Sequence, residues 1–295
     1  MIIFFIVIIL LLIYNHQLVV TGATEGLMLW YKNVLPLLLP FILISNLLEQ
    51  SVLKQPKTGS KKCGHAVITV LILGLFCGYP IGAKSNAFFV EKHIIDRGLG
   101  NIILPICNNV SPMFLMGFVL SNTLSNSISP WICYYSIFLP YLFVFAIELI
   151  IYENLLKKPT HKLTSNSTMT LINTTSNTNI SQDSINQITH IGLYIMICSI
   201  ISEFVLSINC LPYMVKIVLS GIVEITRGIT HINSTSNISI QIKTALIIAC
   251  TSFGGISSIM QTSKVIQASG LSLIHYILIK ALCSTGTFLL CLLII

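Results

Sequence analysis

Two short stretches hold the residues best placed to do chemistry. In Cys77-Gly78-Tyr79-Pro80-Ile81-Gly82-Ala83-Lys84, two glycines, a proline and a cation lie inside an apolar run from Val67 to Val90. Gly78 and Gly82 loosen the backbone, while Pro80 removes a donor and pushes Tyr79 away from helical angles, so a helix breaks here. Unpaired backbone at membrane depth is tolerated only where protein or water lines it, which makes the break a pointer to a cavity. Lys84 adds to it, because a cation near a bilayer centre costs roughly 2.5 to 3.5 kcal/mol on insertion scales and faces a pathway or a partner. The second stretch, Thr251 to Ser258, carries Gly254, Gly255 and Ser257 inside the run Ala245 to Ile266, with Gln261 and Lys264 just beyond. Small residues at such breaks expose N–H groups at helix ends, where the helix dipole favours an anion. Close helix packing is the other use of membrane glycines, and the residues alone leave both open.

Further polar groups sit within apolar runs. Asn108, Asn109 and Ser111 precede Pro112; they can hydrogen-bond a ligand or satisfy the backbone that the proline frees. Glu224 and Arg227 are three apart, so on a continuous helix they share a face, either neutralising each other or forming a substrate or proton-coupling site. Gln261 and Lys264, also three apart, can line a cavity from the second half of the chain. No metal or cofactor is expected: the nine cysteines and seven histidines are dispersed, without a Cys-x-x-Cys or His-x-x-x-His pair. Nothing in the sequence places a nucleophile beside a base or pairs two aspartates, so no enzyme is expected either.

The elements that must position these groups are transmembrane helices. Of 295 residues, 54% are hydrophobic and only 8% charged, against about 25% charged in a soluble domain. The partner is therefore a lipid bilayer. The net charge of +7 lies in scattered residues and short loops, where orientation signals belong, and makes no nucleic-acid patch. Residues 1–26 read as an N-terminal transmembrane helix, Ile2 to Val20, and a short turn, Thr21 to Gly26. A first half, 27–152, holds an irregular helix with Pro36 and Pro40, the broken run, the interrupted run Ile102 to Leu120, and Trp131 to Ile151. Residues 153–187, rich in Asn, Ser and Thr, read as a disordered cytoplasmic linker. A second half, 188–295, holds Ile188 to Ile208, Met214 to Thr230, the broken run Ala245 to Ile266 and Leu271 to Ile295. By the positive-inside rule the loop with Lys54, Lys57, Lys61 and Lys62 is cytoplasmic, as are Lys157 and Lys158. The Gly-Tyr-Pro run then starts and ends on one face as a re-entrant hairpin, with a single broken spanning helix as the competitor. Interrupted segments in both halves point to a transporter-like site between repeats, parallel or inverted.

At these residues the chain resembles a known family. Leu38-Leu39-Pro40-Phe41, the run Gly74 to Lys84, and Asn108-Asn109-Val110-Ser111-Pro112-Met113-Phe114 are similar to the YlbJ family of sporulation integral membrane proteins, which carries the nucleoside-recognition, or Gate, domain. Gly221 to Gly228 and Ser252-Phe253-Gly254-Gly255 to Met260-Gln261 match in the second half. The chain departs from the pattern in its polar linker and at Cys107-Asn108, where a small hydroxyl residue is expected before the asparagine. The resemblance implies an all-α, polytopic membrane protein with two Gate-like halves, each with a broken or re-entrant helical hairpin. It implies a place in the cell membrane of an endospore-forming bacterium, the forespore membrane during sporulation. The implied activity is movement of a small organic anion, dipicolinate. The alternatives are a nucleoside-like cargo, or a non-transporting membrane scaffold required for spore formation; the partners to expect besides the lipid and the anion are further copies of the chain or other sporulation membrane proteins.

Overall fold

The computed structural model describes residues 2–54, 60–123, 128–156, 180–236 and 238–295. Lys57, Lys157 and Lys158, and most of the linker, lie outside the described residues. The described elements are all helical. In chain order they are α1 (Ile2–Tyr14), α2 (His16–Leu29), a π-turn (Trp30–Val34), α3 (Leu35–Lys54), α4 (Ser60–Cys77), α5 (Ile81–Glu91), α6 (Arg97–Cys107), α7 (Pro112–Phe114) with a second π-turn (Leu115–Thr123), and α8 (Pro130–Ile151). After a short π-turn (Tyr152–Leu156) come α9 (Ile180–Ser207), α10 (Tyr213–Val223), α11 (Ile225–Ser234), α12 (Ile240–Phe253), α13 (Gly255–Ile266) and α14 (Leu273–Ile294). Among the described residues, six helical stretches are long and apolar enough to cross a membrane. Their faces are arranged for lipid: on α14, Ile274, Leu278, Leu282, Leu289 and Leu293 are exposed while Tyr276, Lys280, Thr287 and two cysteines are buried. A soluble helix turns its apolar stripe inward; this one turns it outward. The chain is an all-α polytopic membrane protein.

The same order of elements occurs twice: a span, a pair of short helices, a broken span and a span. In the first half these are α3, α4 with α5, α6 with α7, and α8; in the second they are α9, α10 with α11, α12 with α13, and α14. Packing repeats with the order. α5 lies on α6 and α11 on α12, α6 lies on α8 and α12 on α14, and across the halves α3 meets α9 and α8 meets α14. Each half contributes three of the six spans. An odd number of crossings reverses the chain, so, counted on the described residues, the second half runs inverted with respect to the first.

The short helices are hairpins. A Cβ added to Gly82 would stand 2.9 Å from Gly74 Cα, and one added to Gly228 would stand 1.9 Å from Gly221 Cα. Seven or eight residues along a straight helix span roughly 10 to 12 Å, so both pairs have folded back on themselves. The re-entrant geometry expected for Val67 to Val90 is thus present in α4 and α5. Two sequence expectations are corrected by the same contacts. Met214 to Thr230 is not one span but a second hairpin that turns at Glu224, and Ala245 to Ile266 is not a hairpin but a broken span, the counterpart of Ile102 to Leu120. Glycine marks both kinds of break, and only the glycine facing a second glycine across the turn distinguishes the hairpin. Gly228→Ala is expected to lower the melting temperature of the purified protein by forcing two backbones apart, an overpacking cost of about 1 to 3 kcal/mol. Gly64→Ala, with open space around it, is the control. Equal melting of the two variants would rule out the close contact.

Three further expectations fail for stated reasons. Thr21 to Gly26 is not a turn but lies within α2, where Gly22 and Gly26 press against Ile200 and Ser199 of α9; small residues four apart let two helices approach closely. From His16 to Glu49 the path is one continuous helical stretch, and its π-turn precedes Pro36, where a tighter turn would meet the proline ring. Residues 180–187 of the expected linker form the first two turns of α9. Two of them face the interior, Ser184, which accepts a hydrogen bond from Asn46 Nδ2 at 2.9 Å, and Gln187, which accepts one from Lys84, while Ser181, Gln182, Asp183 and Asn186 are exposed.

Candidate substrate site

Each hairpin tip sits on the break of its own half. Gly78 turns with φ +73°, and a Cβ there would meet Ser111 N at 2.7 Å. Tyr79 N donates to Asn109 O at 2.9 Å, which docks the first tip on the gap between α6 and α7. In the second half Glu224 is extended between α10 and α11, and the backbone of Val223 and Ile225 lies against Gly255, whose φ is +76°. Both tips and both breaks surround a small central cavity of about 40 Å³ lined by Tyr79, Ser111, Glu224, Thr226, Ser257 and Gln261. Gln261 and Ile191 also line an adjoining cavity of about 390 Å³, with Pro80, Lys84, Gln187, His190 and Lys264. The larger volume is that of a small-molecule pocket.

The charged groups on these walls are mixed: Lys84 and Lys264 face the larger cavity together with the carboxylates of Glu91 and Asp183, and Glu224 faces the smaller one. Lys84 Nζ bridges Asn46 Oδ1 of α3 and Gln187 Oε1 of α9, the latter at 3.0 Å. Both partners are neutral carbonyls. Among the described residues no carboxylate makes an ion pair with Lys84, although Glu49, buried on α3, is within electrostatic reach. Tyr79 Oη and Gln187 Nε2 are buried without a hydrogen-bond partner. The N-termini of α5 and α13 also lack a side-chain acceptor, since their caps are Pro80 and Gly254. The two other helices that start at these tips and breaks, α7 and α11, are capped: Ser111 accepts from Phe114 N, and the Glu224 carboxylate accepts from Arg227 N at 2.9 Å and from Thr226 Oγ1. The Tyr79 hydroxyl and the Gln187 amide are thus left unpartnered, the Lys84 ammonium is held only by neutral oxygens, and two helix N-termini carry no side-chain cap, although Ile81 N and Gly82 N at the start of α5 already donate to Gly78 O.

With this geometry in place the chain can be set beside known proteins. It is similar to the sporulation integral membrane protein YlbJ of Bacillus subtilis (strain 168), 25% identical over 140 residues, which is 42% of this chain and 32% of that one. The match spans about a third of that relative's length. No protein-family profile matches the chain, and no solved structure matches it.

Not every residue singled out in the sequence reaches the cavities. Tyr79, Pro80, Lys84, Ser111, Ser257, Gln261 and Glu224 line one or the other. Gly78, Gly254 and Gly255 form the turns and caps beside them. Gly82 serves packing, because a Cβ there would fall 1.9 Å from Cys107 O on α6. Asn108 is buried away from both cavities and donates to Thr262 Oγ1 and Tyr276 Oη, each at 2.8 Å. Asn109 Oδ1 accepts from Val110 N. Glu224 and Arg227 do not pair side chain to side chain. The chain turns at Glu224, so its carboxylate caps α11, while the Arg227 guanidinium reaches Glu203 and Ser199 O of α9 and, at 2.7 Å, Glu25 of α2. Sequence reasoning missed Gln187, placed in a linker, and Lys280, whose position near the middle of an apolar span was the available signal.

Proposed function

We propose that this protein carries a small organic anion across the membrane during spore formation, and that the anion is dipicolinate. The observation that carries the reading is the convergence of two helix N-termini without side-chain caps, α5 and α13, beside cavity walls that hold Lys84 and the unpartnered Tyr79 hydroxyl. The inverted order of the two halves supports it, because transporter sites lie between such repeats, on broken helices. Similarity to a sporulation integral membrane protein supports the setting. The forespore membrane as the place and the Gate-like description of the two halves belong to the same proposal and rest on the resemblance of the sequence motifs. Dipicolinate offers two carboxylates on a flat ring, one for each N-terminus. The role is that of a carrier, without catalysis.

A second reading has its own observation. Glu224, Thr226 and Gln261 come together in the central cavity, an acid, a hydroxyl and an amide suited to the hydroxyls of a ribose. The test is uptake of labelled dipicolinate into proteoliposomes, with empty liposomes as background and unlabelled uridine as competitor. Uptake above background that uridine leaves unchanged is the expected result. Uptake abolished by uridine, with labelled uridine entering instead, selects the nucleoside cargo. No entry of either leaves the non-transporting scaffold.

A further inference from the structure

Lys280 is fully buried on α14, and among the described residues no carboxylate is within ion-pair distance of it. Its Nζ donates to Ser252 O at 2.6 Å, and lies 3.4 Å from Asn109 Oδ1 and 3.5 Å from Asn108 O. It stands over the rings of Tyr141 and Tyr276, 5.2 and 6.0 Å from their centroids. Ser252 lies in the last turn of α12 and Asn108 is the C-cap of α6. The ammonium therefore joins the C-terminal ends of the upstream halves of both broken spans, one from each inverted repeat.

A buried cation without an anion is expensive unless something replaces its hydration. Here the replacement is a set of carbonyl oxygens at two negative helix ends, with two aromatic faces beneath. Tyr141 Oη also donates to Ser252 O at 3.0 Å, and Thr287 Oγ1 lies 3.2 Å from Ser252 Oγ, so the oxygens are held in place from α8 and α14. Unwound carbonyls and half-helix C-termini are the groups with which broken-helix carriers bind a diffusible cation. We propose that this is a monovalent-cation site whose cation is supplied by the chain itself, the Lys280 ammonium, so that no free sodium or potassium ion is needed to hold the two broken spans together. The inference concerns the scaffold and holds whatever the cargo.

The test needs no substrate. Wild-type protein, Lys280→Ser and Lys280→Met are purified in detergent, and their melting is followed in sodium, potassium or choline chloride at equal ionic strength. Lys280→Ser empties the ammonium position and adds an oxygen, so its melting temperature is expected to rise by about 5 °C as sodium or potassium replaces choline. The wild type is expected to melt alike in all three salts. Lys280→Met fills the space and leaves the carbonyls without a cation, so it is expected to melt lower than the wild type and to be indifferent to the salt. The proposal is overturned if Lys280→Ser is indifferent to the cation or fails to fold in sodium-rich buffer. It is equally overturned if Lys280→Met matches the wild type, or if the wild type itself is stabilised by sodium over choline.

Discussion

Replacing Arg227 by methionine is expected to cost about 3 to 5 kcal/mol of stability, the range for removing one partner of a buried ion pair. Arg227 is among the largest fully buried side chains, and its guanidinium reaches three groups on two other helices, Glu203 and Ser199 O on α9 and Glu25 on α2, from the third position of α11. Methionine matches the length of the stem but leaves Glu203, which is mostly buried, without its cation. Glu25 is half exposed and loses little. The variant should accumulate poorly and melt well below the wild type. Neutralising the stranded acid should restore part of the loss, so Arg227→Met with Glu203→Gln should melt above Arg227→Met alone. Melting of the single variant within a degree of the wild type would show that the ion pair does not hold the hairpin.

Lys84→Met is expected to reduce dipicolinate uptake roughly tenfold to hundredfold, the value of one charge-assisted hydrogen bond converted to a rate or affinity ratio. Lys84 also bridges Asn46 and Gln187, so a fall in uptake by itself would not separate a lost ligand contact from a loosened helix pair. Lys84→Gln separates them. It keeps a donor for the bridge and removes the charge, and it should transport as poorly as Lys84→Met while melting near the wild type. Lys84→Arg should retain most of the uptake. In spores the corresponding readout is dipicolinate content at matched protein level. Wild-type uptake by Lys84→Gln would remove the ammonium from the binding site and leave it a structural bridge.

The positions of breaks were legible because proline and glycine act locally. Pro80 beside Gly78 and Pro112 after Ser111 combine a missing donor with a residue that leaves or caps a helix, and α5 and α7 do begin there, whereas Pro40, Pro105 and Pro140, without such neighbours, lie inside helices. Helical, membrane-spanning character was legible because composition decides it: a chain with 8% charged residues has few other ways to satisfy its backbone in lipid. The turn at Glu224 was not legible, because Ile222-Val223-Glu224-Ile225 contains no residue that breaks a helix. It turns there because Gly221 and Gly228 pack backbone to backbone and the carboxylate caps the second arm, and each of these needs the other arm in place. The polar start of α9 was misread for a similar reason. In a membrane protein, polar residues can mark either a loop or an interior wall, and only Asn46 and Lys84 on other elements decide between them.

By itself the sequence determined the solvent, the helices, three of the four breaks and the candidate cations, since each depends on what a residue can do with its own backbone and its nearest neighbours in the chain. Which glycines close hairpins, which carboxylate Arg227 meets, and where Lys280 places its charge were decided only in three dimensions. Those contacts join residues as far apart as Asn108 and Lys280, 172 positions along the chain. Their partners are chosen by the packing of two inverted halves, and no local spacing encodes that packing.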